Sequence, residues 1–196
     1  FYLVPGDPSK GPDGAASDSV MAMATKTWSG EWWKWGGGGT AWDSINYDPE
    51  LGLIYVGTGN GGPDAQLHRS PQRGDNLFLC SIVALDAKTG AYRWHYQEVP
   101  EEDWDYTCTQ SIVQADLTID GKKRSVVMNA PKNGFYYVID RKNGKLISAE
   151  KFAKATWADR IDVKTGRPVE NAFSRFMDGK GILMYPGPVG AHSTQA

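Results

Sequence analysis

The sequence predicts an all-β chain built from repeated blades, as in a propeller or a related array. Three observations carry this. Aromatic residues make up 12% of the 196 residues, and eight tryptophans accompany 23 glycines. Such a mixture suits packed strands joined by tight turns better than it suits helices. Short apolar runs recur along the chain, each bounded by glycine, aspartate or asparagine, the punctuation of strands. Finally, a strand, an Asp-x-x-Thr/Asn-Gly turn and a return strand recur as one unit. In such a turn the aspartate accepts hydrogen bonds from backbone amides, and glycine supplies the positive φ.

The elements follow in order. Residues 1–4 form an apolar, strand-like run without an initiating methionine. Residues 18–26 carry the best helical signal, with Ser17 or Asp18 as N-cap. A strand over 53–57 follows Asp48-Pro-Glu-Leu-Gly52. A second runs over 77–85, turns through Asp86-Ala-Lys-Thr-Gly90 and returns over 91–96. Residues 118–123 read as a hairpin turn before a strand at 125–128. The unit recurs as 135–139, Asp140-Arg-Lys-Asn-Gly144 and 145–147, with a weaker echo at 161–166. Segments 63–76 and 173–178 read as loops or single turns. Asp86 and Asp140 lie 54 residues apart, near the repeat of known blades, so the chain should hold about four blades. Both ends read as cuts, making 1–196 a partial domain that is not expected to close a ring alone.

Three segments stand out chemically. Residues 27–43 hold five of the eight tryptophans and the run Gly36–Gly39 before Thr40 and Trp42. Glycines let a backbone approach a planar group closely, and an indole can wall a slot for a flat cofactor. Trp28, Trp32, Trp33 and Trp35 read first as packing residues between blades, whereas Trp42 leans to function. Asn60, in Gly-Thr-Gly-Asn60-Gly-Gly-Pro, ends an apolar strand. Taken alone it reads as a turn asparagine, although its amide oxygen would suit a hard cation. In the loop Pro100-Glu-Glu-Asp-Trp-Asp-Tyr106, Asp105 sits between large rings. An acidic surface loop is the default reading, yet a desolvated carboxylate there would also suit a general base.

Other chemistry finds little support. Net charge is −2 with no basic stripe, a poor match to nucleic acid. No apolar run approaches the ~18 residues that span a membrane. His68, His95 and His192 lie far apart, and no P-loop, dinucleotide fingerprint or catalytic serine pattern appears. Cys80 and Cys108 have no zinc spacing and no haem-attachment motif, and read as two buried free thiols.

With these blocks in view, the chain resembles the pyrroloquinoline-quinone-dependent alcohol dehydrogenases, type II and type III. The likeness rests on Gly30-Glu-Trp-Trp-Lys-Trp-Gly-Gly-Gly-Gly-Thr-Ala-Trp-Asp43, Gly57-Thr-Gly-Asn60, Ala84-Leu-Asp-Ala-Lys-Thr-Gly-Ala-Tyr-Arg-Trp94, Trp104-Asp-Tyr106 and Ala130-Pro-Lys-Asn-Gly-Phe135, in the family's order. It implies an eight-bladed propeller in which Trp94 is a docking tryptophan. It also implies a flat pyrroloquinoline quinone on Trp42, with Thr40 hydrogen-bonded to it. Asn60 and Asp105 would ligate Ca²⁺, and Lys132 would touch the quinone oxygens with Asn133 as its neighbour. Asp105 would be the catalytic base.

The activity so implied is oxidation of a small alcohol to an aldehyde by hydride transfer to the Ca²⁺-bound quinone. Electrons would pass on to a cytochrome c or another acceptor in the periplasm, and any membrane contact would come through partner subunits. Lanthanide-using relatives carry a second aspartate two places after the catalytic one; here that place is Thr107, which favours Ca²⁺. The family's glutamate ligand and adjacent-cysteine disulfide would lie upstream of Phe1, and later blades and any haem c domain downstream of Ala196. Within the chain, Asp64 stands where the family often has tryptophan, and Glu102 and Asp103 depart from common versions of their loop. The competing readings are a non-catalytic propeller scaffold, which would not need Thr40, Trp42, Asn60, Asp105 and Lys132 together, a quinoprotein acting on sugars or polyols, and an inactive partial product.

Overall fold

A computed structural model describes residues 1–12, 14–43, 45–175 and 181–192. In chain order the strands are β1 (Gly37–Gly38), β2 (Ile45–Asp48), β3 (Leu53–Gly57), β4 (Gly61–Gly62), β5 (Ser81–Asp86), β6 (Tyr92–Gln97), β7 (Val113–Ile119), β8 (Lys122–Asn129), β9 (Phe135–Asp140), β10 (Leu146–Lys151), β11 (Ala158–Asp162) and β12 (Arg167–Glu170). The helices are α1 (Asp18–Thr25), with Ser17 as N-cap, and the single turn α2 (Gln66–Arg69).

Two four-stranded antiparallel sheets form complete blades. The first has the order β2-β3-β5-β6, and the second β7-β8-β9-β10. The hairpin β11–β12 and the short pair β1–β4 make two further sheets. Dividing length by repeat suggested about four blades; among the described residues two are complete. The difference lies in the excursions at 1–44 and 58–80, which use chain without contributing blade strands.

The turns form as local chemistry requires. Asp86 Oδ1 accepts from the amides of Lys88 and Thr89, Asp140 Oδ1 from Lys142, and Asp162 Oδ1 from Lys164 and Thr165. Gly90, Gly144 and Gly166 close these turns at φ +71°, +74° and +73°. These bonds and Arg93 hold the Asp86 carboxyl well below the usual carboxylate range. Strand burial alternates where one face meets the core: Phe135, Tyr137 and Ile139 of β9 point inward, whereas Tyr136 is exposed. One core cluster joins both blades and includes Tyr55, Trp94, Trp104, Tyr106, Tyr137 and Trp157.

The strand expected over 77–85 begins only at Ser81. Residues 77–80 are buried but irregular. Leu77 and Phe78 pack with α1, Leu79 with Trp28 and Trp32, and Cys80 with the main core. A loop that buries successive side chains in three clusters has the same apolar pattern as a buried strand. Of the 173–178 segment, residues 172–175 form a 3₁₀ turn, and 176–178 lies outside the described residues.

Trp28 and Trp32 are buried and donate to Leu77 O and Pro5 O, and Trp33 packs edge-on against Trp32. They pack the excursion, and Trp35 is 65% exposed. The cysteines are buried, as expected, but they are not free: Cys80 and Cys108 form a disulfide. Two cysteines distant in sequence reveal their pairing only when the fold brings their Cα atoms to 4.7 Å.

Candidate active site

The site is organised by two glycine-rich segments that run side by side. β1 pairs with β4, and Gly39 N donates to Asn60 O (2.9 Å) while Gly59 N donates to Thr40 O (3.0 Å). A Cβ on Gly38 would lie 2.4 Å from Asn60 O, and one on Gly59 2.7 Å from Trp42 Cζ3. These backbones can therefore meet only because both positions are glycine. The result sets the Trp42 ring against Gly59 while leaving the residue 51% exposed. It is an open aromatic platform, with Thr40 exposed beside it.

Asn60 follows directly. Its Nδ2 donates to Gly61 O (3.1 Å) and to Asp64 Oδ1 (3.3 Å). The amide nitrogen is thus committed, and no donor among the described residues reaches Oδ1. Asp64 lines a cleft of about 530 Å³ with Leu67, Arg73, Asp103 and Arg175.

Asp105 enters from the loop after β6, with φ at +60°. Its neighbours Trp104 and Tyr106 are buried and tied by Trp104 Nε1 to Ser174 O and Tyr106 Oη to Pro186 O (both 2.7 Å). The Asp105 carboxyl is left partly open, with 38% of the side chain exposed. Lys132 Nζ lies 3.5 Å from its Oδ2 and 3.1 Å from its backbone oxygen, and also donates to Pro188 O. Burial raises the Asp105 pKa, the Lys132 charge opposes that rise, and the Asp64 carboxylate adds to it.

A buried pair joins these loops. Glu102 Oε2 accepts from Gly61 N (3.0 Å), next to Asn60, and its Oε1 accepts from Trp104 N (2.7 Å) and Tyr106 N (2.9 Å), either side of Asp105. Arg69 lies 3.9 Å from Glu102, with both side chains fully buried, and its guanidinium donates to the carbonyls of Pro63, Asp64 and Glu102. Burial pushes the Glu102 carboxyl up and the Arg69 guanidinium down; each charge opposes the other's shift. The disulfide reinforces the junction, since Cys80 N donates to Gly59 O and Cys108 N to Thr58 O.

Of the residues singled out in the sequence, the fold thus groups Thr40, Trp42, Asn60, Asp105 and Lys132. Asn133 is turned away. It is fully buried, with Nδ2 donating to Tyr137 Oη (2.8 Å) and Glu98 O (3.5 Å) and Oδ1 accepting from Phe135 N. Thr107 is buried, with its hydroxyl 3.2 Å from that of Thr109. The roles of Arg69 and Glu102 escaped the sequence because nothing local marks a long-range clamp. The contact of Asp64 with Asn60 had one signal, their spacing of four in a glycine-proline turn.

Among the described residues, no group of three or more His, Cys, Asp or Glu side chains could hold a metal. The chain offers one amide oxygen and one carboxylate, a hard-donor pair suited to Ca²⁺ but short of its about 6–8 ligands. The open face of Trp42 over a glycine backbone suits a flat aromatic group.

The profile of the PQQ family, described as glucose/ethanol/alcohol dehydrogenase, β-propeller domain, matches residues 18–156. The chain is 56% identical over 194 residues to quinohemoprotein alcohol dehydrogenase ADH IIB of Pseudomonas putida, covering 98% of this chain and 27% of that protein. The crystal structure of the quinohemoprotein alcohol dehydrogenase from Comamonas testosteroni superposes with a TM-score of 0.91 at 52% identity, covering 98% of this chain and 28% of that one. A europium-containing methanol dehydrogenase gives a TM-score of 0.79 at 37% identity over 95% of this chain and 32% of that one. The chain therefore spans about a quarter to a third of the length of these relatives.

Proposed function

The chain belongs to the glucose/ethanol/alcohol dehydrogenase β-propeller family of PQQ proteins, and on that premise we propose that it carries part of the active site of a quinoprotein alcohol dehydrogenase with an eight-bladed propeller. The observation that carries the reading is that Glu102 ties Gly61, next to Asn60, to the peptides either side of Asp105, which pairs with Lys132, while the Trp42 ring lies open against Gly59.

Bound pyrroloquinoline quinone would supply the hydride acceptor, and Ca²⁺ the Lewis acid that polarises it. Trp42 and Gly59 would provide the surface that holds the flat group, and Thr40, exposed beside them, would offer it a hydroxyl. Asn60 Oδ1 and the Asp105 carboxylate would hold the cation. Asp105 accepts the hydroxyl proton of the alcohol as general base. Lys132 Nζ, held by Pro188 O and the Asp105 backbone, would stand where negative charge develops on the bound group. Asn133, bonded to Tyr137, Glu98 and Phe135 within the core, fixes the segment that carries Lys132.

The relatives are named quinohemoproteins; the complete protein is accordingly proposed to carry haem c and to pass electrons to a cytochrome-type acceptor. The disulfide supports an oxidising compartment such as the periplasm.

The test uses the complete gene product, freed of cofactor and reconstituted with pyrroloquinoline quinone and Ca²⁺. Ethanol-dependent dye reduction should require both additions, and Asp105→Asn should lower kcat by about 10²–10⁴-fold. No activity on any alcohol, with no quinone bound, would favour the scaffold reading instead.

A further inference from the structure

We infer that Asp64 is a positioning residue that locks the Asn60 amide with its oxygen turned toward the cation site. This deepens the reading above and rests on Asn60 being a ligand.

An asparagine amide can flip end for end, and only its oxygen ligates a hard cation. A ligand amide free to flip presents the wrong atom part of the time. Here two acceptors fix the nitrogen: Gly61 O at 3.1 Å and Asp64 Oδ1 at 3.3 Å. Gly61 O comes from the chain itself, so any side chain at residue 64 would leave it in place. Asp64 adds a second, charge-assisted acceptor, which also draws electron density toward the amide oxygen and strengthens it as a donor to a cation.

Asp64 is exposed, and an exposed carboxylate holds a partner only if its backbone is fixed. Arg69 does this: its buried guanidinium donates to the carbonyls of Pro63 and of Asp64. The same guanidinium faces Glu102, which ties Gly61 and the two peptides around Asp105. Asp64 is thus anchored to the frame that sets the Asn60–Asp105 junction. A side chain without an acceptor oxygen at this place could not take the second bond from Nδ2.

Calcium titration calorimetry on the metal-free complete protein tests the idea without any turnover. Asp64→Ala removes the acceptor and should weaken Ca²⁺ binding about 10–100-fold, the usual cost of losing such a partner. Asp64→Asn keeps an acceptor oxygen and should bind close to wild type. In an Asn60→Ala background Asp64→Ala should add no further loss, an outcome that a merely structural role would not produce. The inference falls if Asp64→Ala binds as wild type, if Asp64→Asn is as weak as Asp64→Ala, or if the two losses add. Because the side chain is exposed, thermal melting should show Asp64→Ala folding as wild type does. Should Asn60→Ala alone leave affinity unchanged, the reading of Asn60 as ligand fails, and the inference with it. Loss in Asn60→Ala beside an unchanged Asp64→Ala overturns the inference alone.

Discussion

At the residue scale the active junction depends on Glu102, a side chain with no chemical step of its own. Its two oxygens take three backbone amides, one beside Asn60 and two around Asp105. Three N–H donors and Arg69 compensate for its complete burial. Removing one partner of such a pair leaves the other charge uncompensated, at a cost of about 3–5 kcal/mol. Glu102→Ala should therefore lower the unfolding free energy of the complete protein by that amount, read as a lower urea midpoint at unchanged m. Glu102→Asp, one methylene shorter, cannot reach both loops and should retain more stability than Glu102→Ala. Equal midpoints for Glu102→Ala and wild type would show that the clamp adds nothing. Sequence inspection drew attention to Asp105 through the rings beside it and to Asn60 through its glycine loop, both local signals, but their default readings were an acidic surface loop and a turn, and only the family resemblance gave them roles. Glu102 looked like one more acid in an acidic loop, because its partners lie up to 41 residues away.

At the element scale the blades are joined by a tryptophan from one to a turn of the next. Trp94 on β6 donates to Arg141 O at 3.2 Å and packs on Tyr55, with ring centroids 5.5 Å apart. Its ring covers Gly144 so closely that a Cβ there would lie 2.5 Å from Trp94 Cε3. Trp94→Ala should cost about 3–5 kcal/mol by cavity formation. Gly144→Ala forces a clash and a left-handed alanine together. Gly90→Ala, at the same turn position with φ +71° and nothing within 4 Å, meets the backbone cost alone. Urea unfolding should rank Gly144→Ala well below Gly90→Ala; equal midpoints would refute docking as the source of the difference. The Asp-x-x-Thr/Asn-Gly turns and β3, β9 and α1 were legible because turn chemistry, alternation and capping act within a few residues. The strand expected at 77–80 was not, because burial in three clusters mimics a strand's apolar run. The repeat length pointed to about four blades; the described residues form four sheets, two of them with four strands, because the excursions at 1–44 and 58–80 add no blade strands.

For the whole molecule, the disulfide sets the conditions under which the two halves of the site stay together. Cys80 introduces β5, Cys108 follows the Asp105 loop, and both donate backbone amides to the Thr58–Gly59 segment that leads into Asn60. The link closes a loop of 28 residues in sequence. On the chain-entropy account, restraining a loop of that size in the unfolded state is worth about 3–4 kcal/mol. Both sulfurs are fully buried, so a thiol reductant should act on the unfolding chain far faster than on the native one. Dithiothreitol should therefore lower the denaturation midpoint of wild type, and should have no such effect on Cys80→Ala/Cys108→Ala, whose midpoint should already sit at the reduced value. The same comparison bears on location. Protein exported to an oxidising compartment should yield a Cys80–Cys108 cross-linked peptide by mass spectrometry, whereas protein retained in a reducing cytosol should not. A free Cys108 thiol in exported protein would mean that the Asp105 loop is held without a covalent link to Cys80, and that the periplasmic reading has lost its structural support.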